Sequence, residues 1–116
     1  MYIFINSDIN LTKGQCCAQV SHITHLIIDE IIRSAYEEIP TPGYYLTYLE
    51  WCAEPITIIK KATTSELVIL ANVPYAKCFY DDVYDKKTNQ KNNYLTTVGF
   101  YPGCVDSEKM QNYNLL

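Results

Sequence analysis

Glycine and proline are scarce, with 4 and 5 residues in a chain of 116. That scarcity excludes a fibrous or low-complexity protein. Long apolar runs are missing too. A membrane-spanning helix needs roughly 18 or more apolar residues in succession, and the longest candidate run, residues 26–32, is broken by Asp29 and Glu30. The stretch Met1-Tyr2-Ile3-Phe4-Ile5 has neither a basic flank nor a small-residue cleavage site, so no secretory signal is visible. Positive charge is in deficit: 9 Lys and Arg face 13 Asp and Glu, a net charge of −4. This balance excludes a protein that coats nucleic acid by bulk attraction. It leaves room for local basic stretches at Lys60 and Lys61 and at Lys86, Lys87 and Lys91. The 5 cysteines contain no CxxC pair, which removes support for a zinc site or a redox dithiol. Without a secretory signal, free thiols in a reducing, cytoplasmic setting are expected.

Hydrophobic residues make up 48% of the chain. A chain of this size and composition builds one domain, here residues 1–116, around a real core. Residues 2–6 read as a buried strand. Thr12 and Gln15 fit a capping box that opens a helix running to about Ala35. On that helix Cys16, Val20, Ile23, Ile27 and Ile31 recur at helical spacing and form the expected core stripe. A Pro- and Gly-containing loop over residues 37–44 precedes a short helix at 45–51. A second strand is expected at 56–60, a helix from Thr64 or Ser65 to Asn72, and a third strand at 77–82. Residues 84–93 read as a polar loop, 94–101 as a fourth strand, and 107–111 as a last short helix. Strands alternating with helices in so short a chain predict a small α/β layer fold. The first helix is expected to cross between two parallel strands by the right-handed rule. The short later connections favour a mixed sheet.

Gln15, Gln19 and His22 fall at i, i+4 and i+7, which stacks two amides and an imidazole in one column of the first helix. The column lies near the helix N-terminus, where free N–H groups and the dipole favour an anion. A capping glutamine followed by two ordinary surface residues would give the same spacing. A second cluster, Asp81, Asp82 and Asp85, runs from the end of a strand into a loop, where carboxylates can orient water or act as general bases. Loop aspartates are equally ordinary turn formers. Cys17 and His22 do not pair as nucleophile and base, because five helical positions turn their side chains about 140° apart. His22, His25 and Asp29 lack the spacing of a HExxH-type metal site.

The order of these motifs resembles the type 2 peptidyl-tRNA hydrolases of archaea and eukaryotes. The stretch from Ile3 to His22, which holds Asn10-Leu11, Thr12-Lys13-Gly14-Gln15 and Ala18-Gln19-Val20-Ser21-His22, is similar to that family's N-terminal signature without a gap. Trp51, the strand around Ile56 to Lys61, Ser65-Glu66-Leu67, Thr96-Thr97-Val98-Gly99-Phe100-Tyr101-Pro102 and the tail Tyr113-Asn114-Leu115-Leu116 follow in family order. The resemblance implies a four-stranded mixed sheet with helices on both faces. It implies hydrolysis of the ester between a peptide and tRNA, so that both are recycled for translation, with no cofactor. It also implies a tRNA partner and, in many members, a homodimer.

Residue by residue, the family's catalytic lysine falls on Gln15, with Lys13 two residues away. A neutral amide donates a hydrogen bond where an amine would bring charge. Gln19 and His22 match the signature directly. Thr88 falls on the family's loop threonine and Thr96 on its strand threonine. The family's aspartate is Asp82 if the loop is longer by two and Asp85 if it is shorter by one; strand phase favours Asp82, and the assignment among Asp81, Asp82 and Asp85 stays open. The family's Asp-Ala-Gly turn is absent, and Asn6 stands where an arginine is expected. The resemblance thus implies Asp82 or Asp85, Thr88, Gln15 and Lys13 around the ester, Gln19, His22 and Thr96 beside it, and Lys86, Lys87 and Lys91 on phosphates.

Overall fold

A computed structural model describes residues 1–85 and 88–116. Strand β1 (Tyr2–Asn6) leads to a long helix α1 (Lys13–Glu37) and a shorter one, α2 (Gly43–Ala53). Strand β2 (Ile58–Ala62), helix α3 (Thr64–Ala71), strands β3 (Ala76–Asp85) and β4 (Gln90–Phe100) and the single turn α4 (Ser107–Met110) complete the chain. The sheet order is β2-β1-β4-β3. The β1–β2 pair is parallel, and β4 runs antiparallel to both of its neighbours. This is a single α/β domain with a four-stranded mixed sheet, as the alternation of elements predicts.

Local chemistry explains where the two main helices begin. Thr12 Oγ1 accepts from Gln15 N at 3.1 Å while Gln15 Oε1 accepts from Thr12 N at 2.8 Å, so two orphan donors of the first turn are satisfied reciprocally. Thr63 and Glu66 repeat the device at α3, which begins at Thr64 as expected. Helix α1 ends where Glu38 turns extended, ahead of Pro40 and Pro42.

The two faces of the sheet carry separate cores. On one, Ile3 and Ile5 of β1 pack with Ile23, Ile27 and Ile31 of α1, joined by Tyr44, Tyr48 and Trp51 of α2. On the other, Phe4, Val98 and Phe100 pack with Leu67 and Leu70 of α3 and Met110 of α4. Cys16 and Val20, expected in the core stripe, are only half-buried, because they border an open apolar groove with Leu11, Ile59 and Leu116. Gly99 lets α1 lie close on β4: a Cβ there would come within 2.7 Å of Ile27 Cδ1.

Two expectations are corrected. The second strand begins at Ile58 rather than at residue 56, since Ile56 is exposed and its carbonyl serves Trp51 Nε1 and the Met1 ammonium. Within residues 84–93, read as a polar loop, Tyr84 and Asp85 belong to β3 and residues 90–93 to β4, the outer part of a long β-hairpin. Pairing runs unbroken from Tyr80↔Leu95 to Asp85↔Gln90. The hairpin projects beyond α3 and α1, so both faces are partly wet and the sequence there is polar even though the backbone is paired.

Candidate functional site

The β3–β4 ladder contains one irregularity, and it builds the site. Phe79 pairs with Thr97, yet Tyr80 pairs with Leu95, so Thr96 is an extra residue in β4. Such a bulge turns two successive side chains to one face. Leu95 and Val98 both join the core under α3. Thr96 and Thr97 therefore both face α1, fully buried, with hydroxyl oxygens 3.2 Å apart.

Gln19 of α1 meets them. It is the one polar side chain of that helix that is buried, at 3% exposure. Thr96 donates its hydroxyl proton to Gln19 Oε1 at 2.6 Å. With the oxygen so engaged, Gln19 Nε2 points outward and donates to Asp81 Oδ2 at 2.8 Å. The result is a directional relay from Thr97 through Thr96 and Gln19 to the carboxylate of Asp81. Every link is a side chain whose geometry is fixed by packing or by the bulge. The relay leaves Asp81, which is half-buried, pinned by one oxygen at the sheet surface, with no protein donor to Oδ1 among the described residues. Such a carboxylate can accept from a water or a hydroxyl group and hold it in a set direction. His22, one turn further along α1, is exposed and lies on Phe79 with ring centroids 5.1 Å apart.

Of the residues expected at a site, the structure brings Gln19, Thr96 and His22 together. It sets Asp81 rather than Asp82 beside them. Asp82 is exposed on the opposite face of the sheet, where it accepts from Asn93 Nδ2 at 3.0 Å. The phase of β3 thus runs against the strand-phase expectation: Lys77, Phe79 and Asp81 share the α1 face. Asp85 ends β3 opposite Gln90, four residues beyond Asp81, or about 13 Å along the strand. Thr88 is exposed in the hairpin turn further out still. Lys91 stands opposite Tyr84, on the face that carries Asp82. Lys86 and Lys87 lie outside the described residues.

Gln15 and Lys13 part company. Gln15 is half-buried, with its oxygen held in the capping box and its amide nitrogen left to donate. Lys13, two positions away and so about 200° round the helix, lines an apolar groove of about 600 Å³ on the other flank of α1 with Leu11, Cys17, Val20, Ile59 and Leu116. No cationic side chain of α1 therefore stands beside Asp81. Cys16 also borders that groove, and burial, followed by the neighbouring Cys17, pushes its thiol pKa up. A thiol kept protonated is a poor nucleophile, in line with the sequence argument against cysteine chemistry. Among the described residues, no group of three His, Cys, Asp or Glu side chains could hold a metal ion, and no helix is long and apolar enough to cross a membrane.

Sequence reasoning missed Thr97, Phe79 and Tyr94 as neighbours of the carboxylate. The adjacent pair Thr96-Thr97, two hydroxyls interrupting the alternation of a buried strand, was the available signal for the bulge. No family model matches the sequence, and comparison with curated proteins returns no match either.

Proposed function

We propose that the chain is a peptidyl-tRNA hydrolase-like protein whose working carboxylate is Asp81. The observation that carries this reading is the Gln19 amide bridging Thr96 and Asp81. Gln19 and Thr96 are residues that the resemblance puts beside the ester, and Asp81 is the member of the aspartate cluster that they meet. In this reading water attacks the ester carbonyl of peptidyl-tRNA. Asp81 orients that water through its outer oxygen and takes its proton as the tetrahedral centre forms. Gln19 and Thr96 are positioning residues, holding the carboxylate in one rotamer so that little reorganisation is needed at the moment of reaction. The Gln15 amide nitrogen donates toward the developing oxyanion or the ribose. Lys86, Lys87 and Lys91 meet phosphates.

A second reading is favoured by one specific observation. Gln15 is neutral and tied to its cap, and Lys13 faces the far groove. A scaffold with no helix cation at its carboxylate suits a binder of tRNA ends whose chemistry is weakened or lost. Turnover of a peptidyl-tRNA substrate by the purified protein, with Asp81→Ala and Gln15→Lys beside it, separates the two. The hydrolase reading expects turnover by the native chain and a loss of at least a hundredfold in Asp81→Ala. Turnover only in Gln15→Lys identifies a scaffold with its chemistry switched off. No turnover in either, with tRNA still bound, leaves the binding role.

A further inference from the structure

The ladder places a second aromatic group at the carboxylate. Asp81 pairs directly with Tyr94 across β3 and β4, and directly opposed residues project from the same face. Tyr94 is half-buried, and Asn92, two residues back on that face, donates from Nδ2 toward its hydroxyl at 3.4 Å. Along β3 in the other direction Phe79 carries the exposed ring of His22. The pinned carboxylate thus has two aromatic neighbours on its face of the sheet: Tyr94 directly across the ladder, and Phe79, under His22, about 7 Å back along β3. Nothing in the hydrogen-bond relay uses either ring. Together the rings and the carboxylate form a short shelf on one face of the sheet.

We infer that Tyr94 is a base-stacking specificity residue, which seats the terminal nucleobase of a single-stranded RNA 3′ end against Asp81. This inference rests on the proposed site and names what its edge recognises. In a peptidyl ester of tRNA the scissile bond lies on the terminal ribose, so the base of that nucleotide falls within a few ångströms of the reacting carbonyl. A ring next to the carboxylate is where that base is met. Stacking on an aromatic side chain is tolerant of base identity and needs no excess of positive charge, which suits a chain of net charge −4. The Asp81 oxygen that Gln19 leaves open can accept from a ribose hydroxyl of the same nucleotide.

The test is titration of the full chain with the trinucleotide CpCpA, and with the same strand ending in an abasic ribose, followed by backbone amide NMR. Perturbations are expected at Phe79 to Val83, Tyr94 and His22, with a dissociation constant about tenfold weaker for Tyr94→Leu and for the abasic strand. Tyr94→Phe, which keeps the ring, is expected to bind as the native protein does. Tyr84→Leu, on the opposite face, controls for general damage to the hairpin. Binding of CpCpA that ignores Tyr94→Leu, perturbations centred elsewhere, or no binding at millimolar strand overturns the inference. The hydrolase reading fails separately. CpCpA bound at Tyr94 without any turnover of peptidyl-tRNA sinks the enzyme and leaves the shelf. Turnover with an unchanged KM in Tyr94→Leu sinks the shelf and leaves the enzyme.

Discussion

Gln19 decides the orientation of everything around it, because it is buried and uses both ends of its amide. Replacing it by leucine removes the shorter acceptor of the buried Thr96 hydroxyl, which keeps Phe79 O at 3.2 Å, and releases Asp81 to solvent. The expected cost in a urea unfolding curve is about 0.5–1.5 kcal/mol, the usual net worth of a hydrogen bond whose partner finds another. In the hydrolase reading, activity falls with it while tRNA binding survives. The helical column Gln15, Gln19, His22 is legible in the sequence, but its three members behave differently, and only the contacts reveal this. Gln15 caps, Gln19 bridges and His22 lies on a ring. Asp81 and Asp82 are chemically identical neighbours, and one step of strand phase decides between them. That phase is set by Phe79 and Lys77 meeting α1, which no local pattern in the aspartate run reports. Tyr101 offers a residue-scale test of the core. Burial, and then the Glu30 carboxylate, push its phenol well above the ordinary value. A raised folded-state pKa means that the contribution to stability is complete below the unfolded value of about 10 and is lost as pH rises beyond it. Denaturant midpoints taken from pH 9 to 11 are expected to fall more steeply for the native protein than for Tyr101→Phe.

At the scale of elements, the capping box of Thr12 with Gln15 made the start of α1 readable, since it is a local device; the equally local box of Thr63 with Glu66, which starts α3, was there to be read as well. The hairpin was not readable. The part beyond the strands expected at 77–82 and 94–101, Val83 to Asp85 against Gln90 to Asn93, holds together through cross-strand pairing, and its β4 side is polar and exposed at every position, without the buried alternation that marks a strand. The bulge at Thr96 is likewise a property of two strands together. It also explains why α1 can sit so low: below the bulge, Gly99 leaves room for Ile23 and Ile27 to reach the sheet. Gly99→Ala would press a methyl group against Ile27 Cδ1 at 2.7 Å and Ile23 Cγ1 at 3.0 Å. The expected loss is about 1–3 kcal/mol, as for other overpacked cores. Because α1 also carries Gln19, the same change is expected to move the Asp81 amide resonance. A stability loss with that resonance unmoved would show that helix height and site geometry are independent.

For the molecule as a whole, the proposed reading has to reconcile a net charge of −4 with a tRNA partner. Counting basic residues overstates the attraction. Lys60, which reads in the sequence as half of a basic pair, is buried at 8% exposure and donates from Nζ to the carbonyls of Met110 at 2.7 Å and Tyr113 at 3.0 Å. It fastens the C-terminal segment to β2 and has no reach toward a phosphate. Lys77 pairs with Glu30 at 2.9 Å and Arg33 with Asp29 at 3.1 Å. Of the 9 basic residues, these three already face protein oxygens. Binding that relies on Lys86, Lys87 and Lys91 then releases few counterions. With three or four phosphates engaged, the logarithm of the affinity for tRNA is expected to fall with the logarithm of salt at a slope of about −2 to −3. Gel shifts between 50 and 300 mM potassium chloride measure it directly. A slope steeper than about −6 would mean a broad electrostatic footprint that this charge distribution does not supply, and would put the contact surface somewhere other than the Asp81 face and the hairpin beyond it. A shallow slope together with loss of binding in Tyr94→Leu would place the affinity in stacking and hydrogen bonding at one strand end.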